Sequence, residues 1–269
     1  MSGNGYVHGY SQREAVRLAD QANTLTELLH HDTIYPAGAG VLEAGCGIGA
    51  QTVILAGKNP DARITSIDIS PVSLEKAKRA VADAGFHNVE FIEADIFNLA
   101  FEEESFDHVF VCFVLEHLPN PQEALVKLKR VLRKGGTLTA IEGDHGSAYF
   151  HPDSCEANIA IQCLVDLQKQ SGGDALIGRR LYPLLVSCGF KNVTVSPRVV
   201  YADASRPEMV EGFTKNTFSA MVEGVGEAAL KAKMVDKETW DKGIKDLYRT
   251  AEADGTFNYT FFKAVGVKQ

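Results

Sequence analysis

Three glycines at alternate positions in the run Val41-Leu-Glu-Ala-Gly-Cys-Gly-Ile-Gly-Ala-Gln-Thr52 constrain this chain more than any other stretch, because an apolar strand pattern precedes them and a helical pattern follows. Gly45, Gly47 and Gly49 have no Cβ, so the backbone can turn tightly, take positive φ and come within contact distance of a ligand. Such a strand–turn–helix passage holds a nucleotide-like cofactor. Read as Gly45-x-Gly47-x-x-Ala50, it fits the dinucleotide fingerprint, with an acid, Asp68, about 20 residues further on. Read as Glu43-x-Gly45-x-Gly47-x-Gly49, it is a different signature. A pyrophosphate at this turn wants backbone N–H donors and a helix N-terminus, and a carboxylate beside it would repel it. Glu43 therefore favours a ligand with a positive centre or hydrogen-bond donors.

From Gly40 to about Glu142 strand and helix patterns alternate, as in βαβ units of a parallel sheet covered on both faces. Strands are expected at 41–44, 63–68, 89–93, 107–113 and 137–142. Ser70-Pro71 and Asn120-Pro121 open helices, and Gly85 and Gly135 end them. Leu74, Ala77, Val81 and Ala84 recur at helical spacing, as do Leu125, Leu128 and Leu132, and read as core faces. Before the glycine turn, 11–31 reads as an amphipathic helix with Ser11 as N-cap. After it come helices at 156–171 and 178–188, a strand at 192–197, a largely helical stretch, and a last strand at 258–268. The domain plan is an N-terminal lid or packing helix over 1–34, an α/β core over 35–202, a helical cap insertion over 203–255, and a final strand, 256–269, completing the core sheet.

At 269 residues, 45% of them hydrophobic, the chain can bury a full core. Its formal net charge of −8 argues against nucleic-acid or anionic-membrane surfaces, which need clustered Lys and Arg. Five cysteines without a C-x-x-C pair read as thiols in a reducing compartment, and no metal is expected. The N-terminus lacks a basic-plus-apolar signal and no run reaches the ~18 apolar residues of a membrane span, so a cytoplasmic protein is expected.

Asp68, at the end of the second strand, can accept both hydroxyls of a ribose, which dinucleotides and S-adenosylmethionine share. Asp95 follows the third strand, where its carboxylate can accept an adenine amino group. Glu43-x-Gly-x-Gly-x-Gly49, Asp68, Ala94-Asp95-Ile96 and the run Phe106–His117 together resemble class I S-adenosylmethionine-dependent methyltransferases over residues 35–145. The turn Leu115-Glu116-His117-Leu118 looks like that of the small-molecule branch typified by ubiquinone and menaquinone biosynthesis. The resemblance implies a Rossmann-like seven-stranded α/β sheet, mostly parallel with a reversed final strand, helices on both faces and a helical cap. It further implies that Glu43 and Gly45, with Cys46, Gly47 and Gly49 in the same turn, lie near the methionine part of S-adenosylmethionine. Asp68 would hold the ribose, Ile69, Ala94, Asp95 and Ile96 the adenine, and Cys112 and Phe113 would flank the methyl. Tyr10 and Arg17 on the N-terminal helix would reach the cofactor's carboxylate.

The sulfonium is already an activated leaving group, so holding the reactants in line supplies much of the rate, ~7–11 kcal/mol from positioning alone. A general base is needed only if the acceptor must lose a proton. His117, Glu142, Asp144 and His145 follow strands four and five, where an open α/β sheet places its crevice, and of these His117, Asp144 and His145 make up the catalytic set. The adjacent Asp144 and His145 are the first to test. The aromatics Tyr149, Phe150, Phe213, Phe218 and Tyr259 are the candidates to line the acceptor pocket, but aromatics in helices and strands are mostly core, so they stay outside the site. The expected partner is a small-molecule methyl acceptor. An NAD(P)-dependent oxidoreductase and a non-catalytic binding module on the same fold are the alternatives.

Overall fold

A computed structural model describes residues 21, 22 and 24–269. Tyr10, Arg17 and Ser11 lie outside the described residues. Helix α1 is described at 21, 22 and 24–30. Then follow β1 (Gly40–Ala44), α2 (Ala50–Lys58), β2 (Arg63–Asp68), α3 (Pro71–Asp83), β3 (Val89–Glu93), β4 (Phe106–Cys112), α4 (Pro121–Val131) and β5 (Leu132–His151). The chain continues with α5 (Cys155–Gln170), α6 (Leu181–Ser187) and β6 (Lys191–Ala202), and, after a helical stretch described below, ends with β7 (Thr256–Val267).

Seven strands form one sheet in the order β3-β2-β1-β4-β5-β7-β6. Strands β1 to β5 pair in parallel, with Leu42 opposite Thr65 on one side and Val109 on the other, and Val109 opposite Leu138. The last strand runs the other way: Gly135 N–H donates to Lys268 O and Lys268 N–H to Gly136 O, joining the start of β5 to the end of β7. This is the Rossmann-like sheet with a reversed final strand that the sequence led us to expect.

The chain groups into two compact units. The larger comprises Leu29–Glu142, Ile177–Pro197 and Phe262–Gln269. Its core is built from Leu42, Ile67, Val109, Val111, Leu125, Leu128 and Leu138, the inward residues of the parallel strands and of α4. Helix starts follow the sequence closely. The Ser70 hydroxyl accepts the Ser73 N–H and Asn120 Oδ1 the Glu123 N–H, each before a proline at the first helical position. Ala84 is exposed at the end of α3 and not part of its core face. The buried Lys263 on β7 donates to Asp32 and Thr33, fastening the turn after α1 to the sheet.

The smaller unit comprises the described residues up to Leu28, Gly143–Leu176 and Arg198–Phe261. Its helical stretch consists of α7 (Pro207–Met209), a π-helix over Val210–Ser219, α8 (Ala220–Gly224), α9 (Gly226–Lys231) and α10 (Lys237–Arg249). Gly243 on α10 lets that helix meet the backbone of Glu156 on α5, where a Cβ would collide with the Glu156 carbonyl. Phe213, Phe218, Phe257, Tyr259 and Phe261 form a buried aromatic cluster, with ring centroids 4.9 Å apart for Phe218–Phe257 and 4.7 Å for Tyr259–Phe261. Strand β5 is much longer than the expected 137–142. Its continuation through Gly143-Asp-His-Gly146 is hidden by residues of low strand propensity, which the pairing of β5 with β7 overrides.

Two positive-φ glycines separate backbone freedom from close packing. A Cβ on Gly49 (φ 86°) would lie 2.7 Å from Ala77 Cα, whereas one on Gly85 (φ 78°) would meet nothing within 4 Å. Gly49→Ala is expected to cost about 2–5 kcal/mol in urea denaturation, and Gly85→Ala only about 1 kcal/mol from backbone strain. Equal losses would refute the packing role.

Candidate active site

The turn from β1 into α2 is held first by its own backbone. Gly45 and Cys46 N–H both donate to Ile67 O on the neighbouring strand, at 2.8 and 2.9 Å, and Gly49 N–H donates to Cys46 O at 3.0 Å. Gly45, Gly47 and Gly49 all have positive φ, at 79°, 54° and 86°. Their reasons differ. Gly45 faces Val114, whose Cγ2 would sit 2.6 Å from an added Cβ, and Gly49 is pressed against α3. Gly47 opens onto free space, with nothing within 4 Å of a Cβ position. Cys46 is buried against Leu74, Ala77 and Phe91, so its side chain belongs to the core.

Three carboxylates stand at the ends of β1, β2 and β3. Glu43 is 2% exposed and accepts a 2.6 Å hydrogen bond from the Ser66 hydroxyl on β2. Burial pushes its carboxyl up to about 7, against the pull of that hydrogen bond. Asp68 Oδ2 accepts the Gly47 N–H at 2.8 Å and Oδ1 the Ser70 N–H at 2.9 Å, so this side chain spans the glycine turn and the start of α3. A carboxylate has about four acceptor sites, which leaves room for ligand hydroxyls. Asp95 Oδ1 accepts the Phe97 N–H at 2.9 Å and caps the 3₁₀ turn Ile96–Asn98, while Ala94 N–H donates to Asp68 O. Beside them Ile69 is 65% exposed, an apolar side chain turned to solvent, and Ile96 is buried.

The end of β4 is unusual in its backbone. Phe113 has φ 57°, a left-handed conformation that costs a non-glycine residue about 1–3 kcal/mol, and its N–H donates to Ile141 O. Cys112 before it is buried. Its thiol is pushed well up by burial, then by the carboxylates of Glu142, Glu43 and Glu116. His117 ends the 3₁₀ turn Leu115–His117, with Nε2 3.5 Å from Glu116 Oε1. Glu142 is fully buried and accepts hydrogen bonds from the backbone N–H groups of that turn, so it is committed to structure and not to proton transfer.

Asp144 and His145 fall in the smaller unit, inside β5. As neighbours in one strand they project to opposite faces. Asp144 Oδ1 accepts the Gly146 N–H. His145 Nδ1 lies 2.7 Å from the Tyr259 hydroxyl, which sits where a Cβ on Gly143 would be. Ser66 and Val114 escaped the sequence reading, which keeps Tyr259 outside the site. Ser66 carries a signal, a hydroxyl in register with Glu43 on the neighbouring strand, but Val114 looks like ordinary core.

Residues 42–140 match the family model described as a methyltransferase domain. An uncharacterized 37.1 kDa protein in transposon TN4556 of Streptomyces fradiae is 32% identical over 202 residues, 74% of this chain and 57% of that protein. The demethylmenaquinone methyltransferase of Listeria monocytogenes serotype 4a is 33% identical over 106 residues, 39% of this chain and 45% of that protein. The chain thus spans about half the length of these curated relatives. Among solved structures, Haemonchus contortus phosphoethanolamine N-methyltransferase 2, in complex with phosphomonomethylethanolamine and S-adenosylhomocysteine, matches with a TM-score of 0.59 at 17% identity, covering 96% of this chain and 58% of that one. At that identity the likeness is one of fold.

The state of Glu43 has a pH signature. The unfolded chain ionises this residue near 4.5 and the folded chain only near 7, so the stability contributed by its neutral form is whole below pH 4.5 and is lost as the pH rises to 7. At 1.36 kcal/mol per pH unit the loss is about 3 kcal/mol. Glu43→Gln should therefore gain about 2–3 kcal/mol on wild type between pH 5 and pH 8 in denaturant titrations; parallel pH profiles would exclude it.

Proposed function

We propose that this chain, whose residues 42–140 are a class I S-adenosylmethionine-dependent methyltransferase domain of the small-molecule branch, transfers the methyl group of S-adenosylmethionine to a small-molecule acceptor. The observation that carries this reading is Glu43, a buried carboxylate at the end of β1 beside a glycine turn whose middle residue opens onto free space. The ionised form of that carboxyl opposes a pyrophosphate, and a cationic ligand would favour it. Asp68 alone would serve a dinucleotide equally well.

When bound, S-adenosylmethionine supplies a methyl group on a positively charged sulfur. In this reading Glu43 and the turn of Gly45, Cys46, Gly47 and Gly49 hold the methionine end. Asp68 takes the ribose hydroxyls, Ile69, Ala94, Asp95 and Ile96 the adenine, and Cys112 and Phe113 flank the methyl. Ile69, an exposed apolar side chain next to Asp68, would cover the face of the base. For an acceptor that must lose a proton, His117, Asp144 and His145 are the proposed proton acceptors. Five free thiols accord with a reducing, cytoplasmic setting. Among the described residues no helix is long and apolar enough to cross a membrane.

Isothermal titration with S-adenosylhomocysteine tests the reading directly. Binding in the micromolar range is expected, weakened at least tenfold (about 1.4 kcal/mol) in Asp68→Ala. No heat up to high-micromolar ligand would refute it, and quenching of protein fluorescence by NADH, lost in Asp68→Ala, would favour the oxidoreductase instead.

A further inference from the structure

The 3₁₀ turn Leu115–His117 begins at Val114, whose side chain makes no capping hydrogen bond. A turn of this kind leaves its first backbone N–H groups without partners, and Ser, Thr, Asp or Asn usually serves them from the cap position. Val114 is given over to another contact, since its methyl groups fill the space that a Cβ on Gly45 would need. The missing acceptor comes from a different strand. Glu142 Oε1 accepts the N–H of Val114 at 3.1 Å and of Leu115 at 2.8 Å, and Oε2 that of Glu116 at 3.4 Å. Together with the bond from Phe113 N–H to Ile141 O, two consecutive residues of β5 hold the N–H groups of residues 113 to 116.

We propose that Glu142 is the positioning residue of this site: it caps the turn after β4 from β5, keeps Phe113 in its left-handed conformation and presses Val114 against Gly45, and so shapes the methionine end of the cofactor site. The proposal rests on the S-adenosylmethionine reading above. A strained backbone persists only where its surroundings over-determine it, and here the same hydrogen bonds do so. The groups assigned to the adenosine, Asp68, Ile69, Asp95 and Ile96, sit at the ends of β2 and β3, and the two carboxylates among them have their own backbone partners. Loss of the Glu142 anchor should therefore reach one end of the cofactor and spare the other.

The test compares wild type, Glu142→Gln and Glu142→Leu by titration with S-adenosylhomocysteine and, separately, with adenosine, alongside amide hydrogen exchange. Gln keeps one carbonyl acceptor of the same reach but places an amide donor toward the remaining N–H groups, so its fold should survive; Leu removes every acceptor. The proposal expects Glu142→Gln to weaken S-adenosylhomocysteine at least tenfold while adenosine stays within twofold, with exchange at Val114 and Leu115 at least tenfold faster and the rest of β4 unchanged. Glu142→Leu, where it folds, should do so more strongly. Equal weakening of both ligands would mean a merely structural role and overturn the proposal, as would unchanged exchange at Val114 and Leu115. Failure of the wild type to bind S-adenosylhomocysteine would instead overturn the methyltransferase reading, and exchange would still show whether Glu142 anchors the turn.

Discussion

The backbone between β1 and α2 passes through three left-handed positions in five residues, and the candidate site is organised around that passage. Only two of the three glycines answer to their neighbours, Gly45 to Val114 and Gly49 to Ala77. Both contacts are made by elements distant in sequence, the turn after β4 and helix α3. The glycine turn is thus wedged between two packed surfaces, with Gly47 left facing open space. A cradle for a ligand backbone or sugar is what remains when the outer glycines are fixed and the middle one is not.

Electrostatics divides the site into two ends. Toward β4 and β5, Glu43, Glu116 and Glu142 are all buried, and each raises the cost of ionising the Cys112 thiol. Burying carboxylates is costly unless hydrogen bonds compensate. The compensation is specific: a hydroxyl for Glu43 and backbone amides for Glu142. Toward β2 and β3, Asp68 and Asp95 each accept backbone N–H groups two residues ahead, at the starts of the following helical turns. An end lined by buried carboxyl groups, whose ionised form a cation would favour, and an end with acceptor carboxylates beside an exposed isoleucine suit a ligand that is cationic at one end and nucleoside at the other.

The chemistry after strand five is less compact than a pair of adjacent polar residues suggests. Asp144 and His145 alternate across β5, and the partner of His145 is Tyr259, which comes from β7 and occupies the space left by Gly143. Glu142, one residue earlier, titrates on paper but is spent on amides in the fold. Asp144 and His145 therefore meet different surroundings, because a strand turns its side chains alternately.

Much of the parallel half of this molecule was legible in the sequence. Strands β1 to β4 and helices α3 and α4 follow from local rules: apolar runs, Ser70-Pro71 and Asn120-Pro121 as helix starts, and a glycine-rich turn preceded by an acid. The carboxylates at 43, 68 and 95 were legible for the same reason, since each sits at the end of a strand that its own residues define. What the sequence left undecided depends on partners far along the chain. The length of β5 is set by pairing with β7 against the propensity of Gly143-Asp-His-Gly146, and the commitment of Glu142 is set by the amides of Val114, Leu115 and Glu116. Local pattern carries a residue's own conformational preference, whereas a buried side chain's role is decided by which hydrogen-bonding groups the completed sheet brings to it, and only the tertiary structure supplies those.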